Sequence, residues 1–110
     1  AVLSGAPDGY FSSMGMDLLV EDEVCMLASR KAFAGSVATA DRLVRTLYKD
    51  AHIPISDAVK MASLTPARQI NEHTHIGRLA EGFDADVNVF DDDINILFTM
   101  ILGKVFINSL

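Results

Sequence analysis

The sequence predicts a mixed α and β fold with a helical middle and a β-rich end. Apolar residues recur at helical spacing over 37–50, which indicates an amphipathic helix. After residue 76 the apolar residues alternate with polar ones or run continuously, which is typical of strands. We therefore expect two structural regions, 1–75 and 76–110, that meet near a polar connector at 72–76.

Composition narrows the classes of function. The chain has 110 residues, 15 acidic against 9 basic, and a net charge of -6, so no nucleic-acid partner is expected. Its length suits one small domain and is short for a barrel enzyme. Polar residues interrupt the longest apolar run, 94–107, so we expect no membrane span. Cys25 is the only cysteine, which predicts a chain without an internal disulfide and a cytoplasmic location.

The first third of the chain is predicted to contain turns and one hairpin. Residues 1–15 are rich in Gly and Ser, and Pro7-Asp8-Gly9 favours a turn. Two apolar runs, 16–20 and 24–27, flank Glu21-Asp22-Glu23 and predict a hairpin with an acidic tip. Adjacent carboxylates could suggest a cation site, but their side chains diverge at an exposed tip. We therefore expect a solvated run of charges there.

Helices are predicted in the middle of the chain. The first spans 37–50 and ends before Pro54, with His52 as its expected C-terminal cap. Ser56 is the expected N-cap of a second helix, and Thr65 that of a third. The residues expected on the buried face of the first helix are Leu43, Val44, Leu47 and Tyr48.

The C-terminal region is predicted to consist of strands and tight turns. A loop with two glycines precedes a strand at 86–90. The apolar run 96–102 predicts a second strand, and Gly103-Lys104 turns it into a third at 105–107. Asp91-Asp92-Asp93 lies between the first two of these strands and is expected to be solvated.

Several side chains could carry chemistry, yet each also has a simpler structural role. His73 and His75 are spaced to share a metal on a strand, but no third ligand is evident, so we expect a solvent-exposed pair. Cys25 has apolar neighbours, which favours a buried structural thiol. Ser36 lacks the nucleophile elbow of a serine hydrolase. At a predicted helix start, Gly35 and Ser36 could offer backbone N–H groups to a ligand.

Five stretches taken in order resemble one family. They are PDGY at 7–10, FAGSVATADRLVR at 33–45, ISDAVKMASLTPARQIN at 55–71, IGRLAEGFDADVNVFD at 76–91 and ILGKVF at 101–106. Together they resemble the N-acetylglucosamine-6-phosphate deacetylases of the amidohydrolase superfamily. The stretches at 55–71 and 76–91 mark the superfamily, whereas PDGY with Ala-Gly-Ser at this distance indicates the sugar-phosphate branch.

The resemblance implies an α/β fold and a role in hydrolysis. It implies that 1–75 is the C-terminal part of a (β/α)8 barrel and that 76–110 supplies strands of a small accessory β-sandwich. In such enzymes a divalent metal, zinc or iron, activates water for attack on the acetamide, giving glucosamine 6-phosphate and acetate. The family's metal ligands have no counterpart in this chain. Its proton-shuttling aspartate would stand just before Ala1, and Asp8 is no substitute for it.

The same resemblance assigns the residues that face the substrate. The sugar pocket would be lined by Phe33, Ala34, Gly35 and Ser36, with Phe33 in place of the more usual leucine. Asp84 and Asp86 would be structural and fix the turn before a strand. The implied partners are the amino-sugar phosphate substrate, the rest of the barrel and a second subunit in a homodimer. Alone, the chain is expected to be inactive and to expose a large apolar patch.

Two other functions are also compatible with the sequence. A dihydroorotase-like hydrolase of cyclic amides fits the motifs at 55–71 and 76–91 equally well, but it fits PDGY and Ala-Gly-Ser less well. A non-catalytic, stand-alone α+β module is the second alternative. The helical middle is hard to reconcile with that module, because its apolar faces need a larger partner to cover them.

Overall fold

The computed structural model describes residues 3–110, so Ala1 and Val2, at the start of the predicted N-terminal turn region, lie outside the described residues. The chain forms two compact units, unit 1 (Ala1–Thr39) and unit 2 (Ala40–Leu110). Each unit has its own group of buried apolar residues. The described strand pairs are all antiparallel, and they form one sheet in each unit.

Unit 1 is a four-stranded antiparallel sheet in which each strand pairs with its neighbour in sequence. Its strands are β1 (Gly9–Ser13), β2 (Met16–Glu21), β3 (Val24–Leu27) and β4 (Phe33–Gly35). The predicted hairpin of β2 and β3 is confirmed. The sequence did not predict β1, because Gly and Ser occupy three of its five positions and are poor strand formers.

Two-residue turns fix the register of the first three strands. Met14 and Gly15 join β1 to β2, and Asp22 and Glu23 join β2 to β3. All four residues have positive φ, the conformation of type I′ turns, whose twist matches that of the paired strands. The tip at Asp22 and Glu23 is exposed, as the acidic run predicts.

One face of the unit 1 sheet carries its core. The buried members are Leu18, Val20, Cys25 and Val37, and Leu3, Ala6, Phe11, Leu27 and Ala34 pack against them. Cys25 is only 2% exposed, which confirms a buried thiol. On the opposite face, Arg30 reaches from the β3–β4 loop to Glu21, with its two terminal nitrogens 2.7 and 3.1 Å from the carboxylate oxygens. This ion pair lowers the pKa of Glu21.

Unit 2 begins with helices. They are α1 (Ala40–Arg45), which continues as a π-helical turn (Thr46–Asp50), α2 (Ile55–Ala62) and α3 (Leu64–Gln69). The first helix starts three residues later than predicted, since β4 and an extended link occupy 33–39. His52 follows the helix with a φ of +54°, so the backbone turns out of the helix there.

Both predicted N-caps are wrong by two residues. Pro54 is the N-cap of α2, because its carbonyl accepts the N–H groups of Asp57 and Ala58; Ser56 therefore lies inside the helix. Ser63, rather than Thr65, precedes α3, and its hydroxyl donates back to the carbonyl of Val59. Neither helix therefore has a side-chain hydrogen bond at its N-cap.

The core of unit 2 joins the helices to a loop between strands. Val44, Ala58 and Ile94 are buried together, and Leu47, Tyr48, Ile53, Ile55 and Phe90 pack against them. Three of the four residues predicted for the buried face of the first helix take part. Leu43 does not, because 54% of its surface is exposed.

A three-stranded antiparallel sheet ends the chain. Its strands are β5 (Val87–Phe90), β6 (Ile96–Ile101) and β7 (Lys104–Asn108), as predicted to within two residues. Leu102 and Gly103, both at positive φ, form the tight turn between β6 and β7. The N–H of Leu102 donates to Asp86 Oδ1 over 2.7 Å, so Asp86 is structural as predicted, but its carboxylate holds the turn between β6 and β7 rather than the turn before β5.

The boundary between the compact units differs from the predicted one. It falls between Thr39 and Ala40 rather than near 72–76, because Ile94 from the C-terminal part shares a core with Val44 and Ala58 of the helices. The assignment of 1–75 to a barrel and 76–110 to a sandwich remains a prediction.

Large apolar side chains are exposed in both units, as expected for a chain whose apolar faces need a cover. In β7 every residue is exposed, including Val105, Phe106 and Ile107. On the helices, Leu43 and Met61 are more than half exposed. Within residues 3–110, no helix combines the length and the apolar character that a membrane span requires.

Candidate functional site

The predicted substrate-facing residues lie at the end of the unit 1 sheet. Phe33, Ala34 and Gly35 form β4, which pairs with β3 alone. Phe33 lies opposite Met26 and Gly35 opposite Cys25, so Ala34 is an extra residue, a β-bulge. The bulge turns Ala34 toward the core and leaves the Phe33 ring on the other face, where it is 83% exposed.

Gly35 leaves its backbone open. Its φ is +142°, a conformation that side chains rarely adopt, and a Cβ built on it would meet nothing within 4 Å. A ligand can therefore approach this peptide closely, which is the property that the resemblance requires of a pocket-lining glycine.

Ser36 does not stand at a helix start. Three residues separate it from Ala40, where α1 begins, so the expectation of free N–H groups from a first helical turn at Gly35 and Ser36 is wrong. Instead, Ser36 Oγ accepts the N–H of Ala38 over 3.1 Å, a local turn that precedes the helix. The sequence misled because Ser before an apolar periodic segment is also a common N-cap pattern.

The segment 3–6 packs beside this link, a contact that the sequence did not predict. Ser4 Oγ donates to the Ala38 carbonyl over 2.8 Å, and the N–H of Gly5 donates to the Val37 carbonyl over 2.8 Å. The start of the described chain is thus bonded directly to the residues that follow Ser36.

The described residues offer no metal centre. No group of three His, Cys, Asp or Glu side chains within 3–110 is placed to hold a metal ion. His73 and His75 are both exposed, as predicted, and His75 Nε2 lies 3.2 Å from Glu72 Oε2. The described residues therefore do not fit the divalent metal that the resemblance implies.

The acidic turn at 91–95 is structured rather than merely solvated. Asp91 Oδ1 accepts the N–H groups of Asp93 and Asn95, and its Oδ2 accepts the side-chain amide of Asn95, each over 2.9 Å. Lys49 Nζ lies 3.0 Å from Asp93 Oδ1. Asp91 and Asp93 thus serve the fold, although the side chains of all three aspartates face solvent.

The hydrogen bonds at Asp91 make the turn sensitive to acid. The side-chain and backbone bonds from Asn95 hold the pKa of Asp91 below its ordinary value of 3.8. A lowered pKa in the folded chain stabilises the fold above the ordinary pKa, and this contribution is lost as the pH falls through the lowered value.

We expect Asn95→Ala to raise the pKa of Asp91 toward its ordinary value, because the substitution removes the side-chain amide donor. The carboxyl carbon shift of Asp91, followed by NMR during an acid titration, measures this change. Asn88→Ala is the matched control, since Asn88 bonds to Thr99 instead. Equal Asp91 pKa values in the two variants would contradict the assignment.

Comparisons with known proteins give one family. The sequence profile of the amidohydrolase family matches residues 3–106. The chain is 30% identical over 105 residues to the N-acetylglucosamine-6-phosphate deacetylase of Lysinibacillus sphaericus, a match that covers 96% of this chain and 27% of that protein. It is 29% identical over 102 residues to the N-acetylgalactosamine-6-phosphate deacetylase of Escherichia coli O157:H7, covering 93% and 27%.

A solved structure gives the same result for the fold. The crystal structure of N-acetylglucosamine-6-phosphate deacetylase from Pasteurella multocida matches with a TM-score of 0.87 and 24% identity, over 96% of this chain and 28% of that one. The chain thus spans about a quarter of the length of these three proteins. The resemblance drawn from the sequence motifs is confirmed.

Proposed function

Because the chain belongs to the amidohydrolase family, we propose that it forms part of a deacetylase that hydrolyses N-acetylglucosamine 6-phosphate to glucosamine 6-phosphate and acetate. The observation that carries the proposal is a match to a protein of that name over 96% of the chain. The unit 1 geometry supports it, since Phe33 and Gly35 are accessible while Ala34 is held in the core.

In this proposal the chain contributes substrate contacts. The exposed Phe33 ring offers an apolar surface to the sugar, and Gly35 allows its backbone to approach closely. Ser36 uses its oxygen to accept the Ala38 N–H, which leaves its hydroxyl hydrogen available for a substrate oxygen. The metal, zinc or iron, and the proton-shuttling aspartate would come from residues outside this chain.

The test compares two forms of the protein. We expect the product of the gene's full open reading frame, with zinc added, to release acetate from N-acetylglucosamine 6-phosphate. Residues 1–110 alone, treated in the same way, are expected to release none, because they hold neither the metal ligands nor the aspartate. Turnover by the 110-residue chain above a no-protein control would overturn the division of labour proposed here.

Other substrates in the same assay separate the alternatives. N-acetylgalactosamine 6-phosphate tests the epimer named for the Escherichia coli relative. Hydrolysis of dihydroorotate instead would support the hypothesis of a dihydroorotase-like hydrolase of cyclic amides. No hydrolysis of any of the three substrates would favour a non-catalytic module. The whole protein is also proposed to be a cytoplasmic homodimer. Gel filtration of the active protein tests whether it is a dimer.

A further inference from the structure

Two hydrogen bonds meet at Ala38 from distant parts of unit 1. Ser4 Oγ donates to the carbonyl of Ala38 over 2.8 Å, and the N–H of Ala38 donates to Ser36 Oγ over 3.1 Å. One residue thus joins the hydroxyl of Ser4 to that of Ser36. Within residues 3–110, the hydroxyl hydrogen of Ser36 has no hydrogen-bond acceptor, so this hydroxyl can donate to a ligand.

The approach of the two segments is close and fixed. The N–H of Gly5 donates to the carbonyl of Val37 over 2.8 Å, and Leu3 packs against the same core as Val37. Gly5 has a φ of +74°, and a Cβ on it would lie 3.3 Å from Thr39 Cγ2. A side chain at position 5 would therefore strain the backbone and crowd the Thr39 side chain.

We propose that Ser4 is a positioning residue for deacetylation, acting through Ala38 on Ser36. The inference rests on the proposed function, in which Phe33, Gly35 and Ser36 contact the sugar. Ser4 then ties the segment 3–6 to the residues that follow the sugar-contacting ones, through the carbonyl of Ala38. The position of the Ser36 hydroxyl, and with it the placement of the sugar, depends on this hydrogen bond, and small errors in such placement slow the chemical step.

This role predicts different kinetic effects for the two serines. Ser4→Ala removes the hydrogen bond that holds Ala38 and so loosens the placement of the sugar, but it removes no substrate contact. We therefore expect kcat to fall about tenfold while KM stays within about twofold. Ser36→Ala removes a donor to the substrate itself and is expected to raise KM. Ser4→Thr keeps the hydroxyl and is expected to retain most of the wild-type kcat.

The experiment uses the protein expressed from its full open reading frame, with zinc and N-acetylglucosamine 6-phosphate. Ser12→Ala is the matched control, because Ser12 is an exposed serine of β1 in the same unit. Thermal melts of each variant establish that it is folded before its kinetics are compared.

Each outcome decides a different point. A tenfold loss of kcat in Ser4→Ala, with activity kept in Ser4→Thr and Ser12→Ala, supports the proposal. A Ser4→Ala variant with wild-type kcat overturns it and leaves the proposed function standing, even if its melting temperature falls. Equal losses in Ser4→Thr and Ser4→Ala also overturn it, and a wild-type protein without turnover overturns both proposals.

Discussion

Replacing Ile94 by alanine is expected to destabilise unit 2 by about 2 to 3 kcal/mol, within the range for truncating a buried isoleucine. Ile94 is 2% exposed and packs with Val44 and Ala58, so its removal leaves a cavity between the loop and the helices. Ile94 has a φ of +61°, a strained conformation for a β-branched residue that alanine tolerates better. The expected loss of stability therefore lies toward the lower end of that range.

The measurement is chemical denaturation followed by the helical circular dichroism signal. The described helices all lie in unit 2, so this signal reports on the unit that contains Ile94. Ile101→Ala is the control, because Ile101 is 47% exposed and its truncation is expected to cost less than about 1 kcal/mol. Equal losses for Ile94→Ala and Ile101→Ala would show that Ile94 does not anchor this core.

Arg45→Met is expected to destabilise unit 2 by about 1.5 kcal/mol, less than Ile94→Ala. Arg45 Nε donates to the Asp93 carbonyl over 2.8 Å, and one terminal nitrogen donates to the Ile94 carbonyl over 2.9 Å. That nitrogen also lies 3.4 Å from Asp41 Oδ2. Bonds from a charged donor are worth about 1.5 to 3 kcal/mol, and the partial exposure of this side chain places the effect at the low end.

Methionine keeps the apolar length of the arginine side chain, so the loss measures the guanidinium bonds. Arg45→Lys is expected to recover only part of the stability, because one ammonium cannot match the two-carbonyl geometry. The exposed Arg68, replaced by methionine on α3, serves as the control. Full recovery in Arg45→Lys, measured in the same denaturation experiment, would mean that charge alone holds the loop.

The elements that the sequence predicted correctly have strong local signals. The β2–β3 hairpin has an acidic pair between apolar runs, and β6 and β7 surround a glycine turn. The sequence failed where the local signal pointed elsewhere. Ile94 is a core residue in a loop at positive φ, which is contrary to the backbone preference of isoleucine. Nothing in the sequence around it indicates that the helices would bury it.

The candidate site also has features that the sequence predicts and features that it misses. Phe33, Ala34, Gly35 and Ser36 were identified through resemblance, whereas the residues alone suggested a helix start that is not there. The bond between Ser4 and Ala38 joins positions far apart in sequence, and neither residue type signals the pairing. Contacts of this kind depend on how the whole sheet folds, so single-residue preferences do not reveal them.

Both sheets pair only strands that are neighbours along the chain. Each pairing therefore closes a short loop, and no strand has to wait for a distant partner to be synthesised. As the ribosome releases the chain, unit 1 can assemble strand by strand before the helices have emerged. The order of translation and the order of folding then coincide, which leaves the nascent polypeptide few opportunities to mispair.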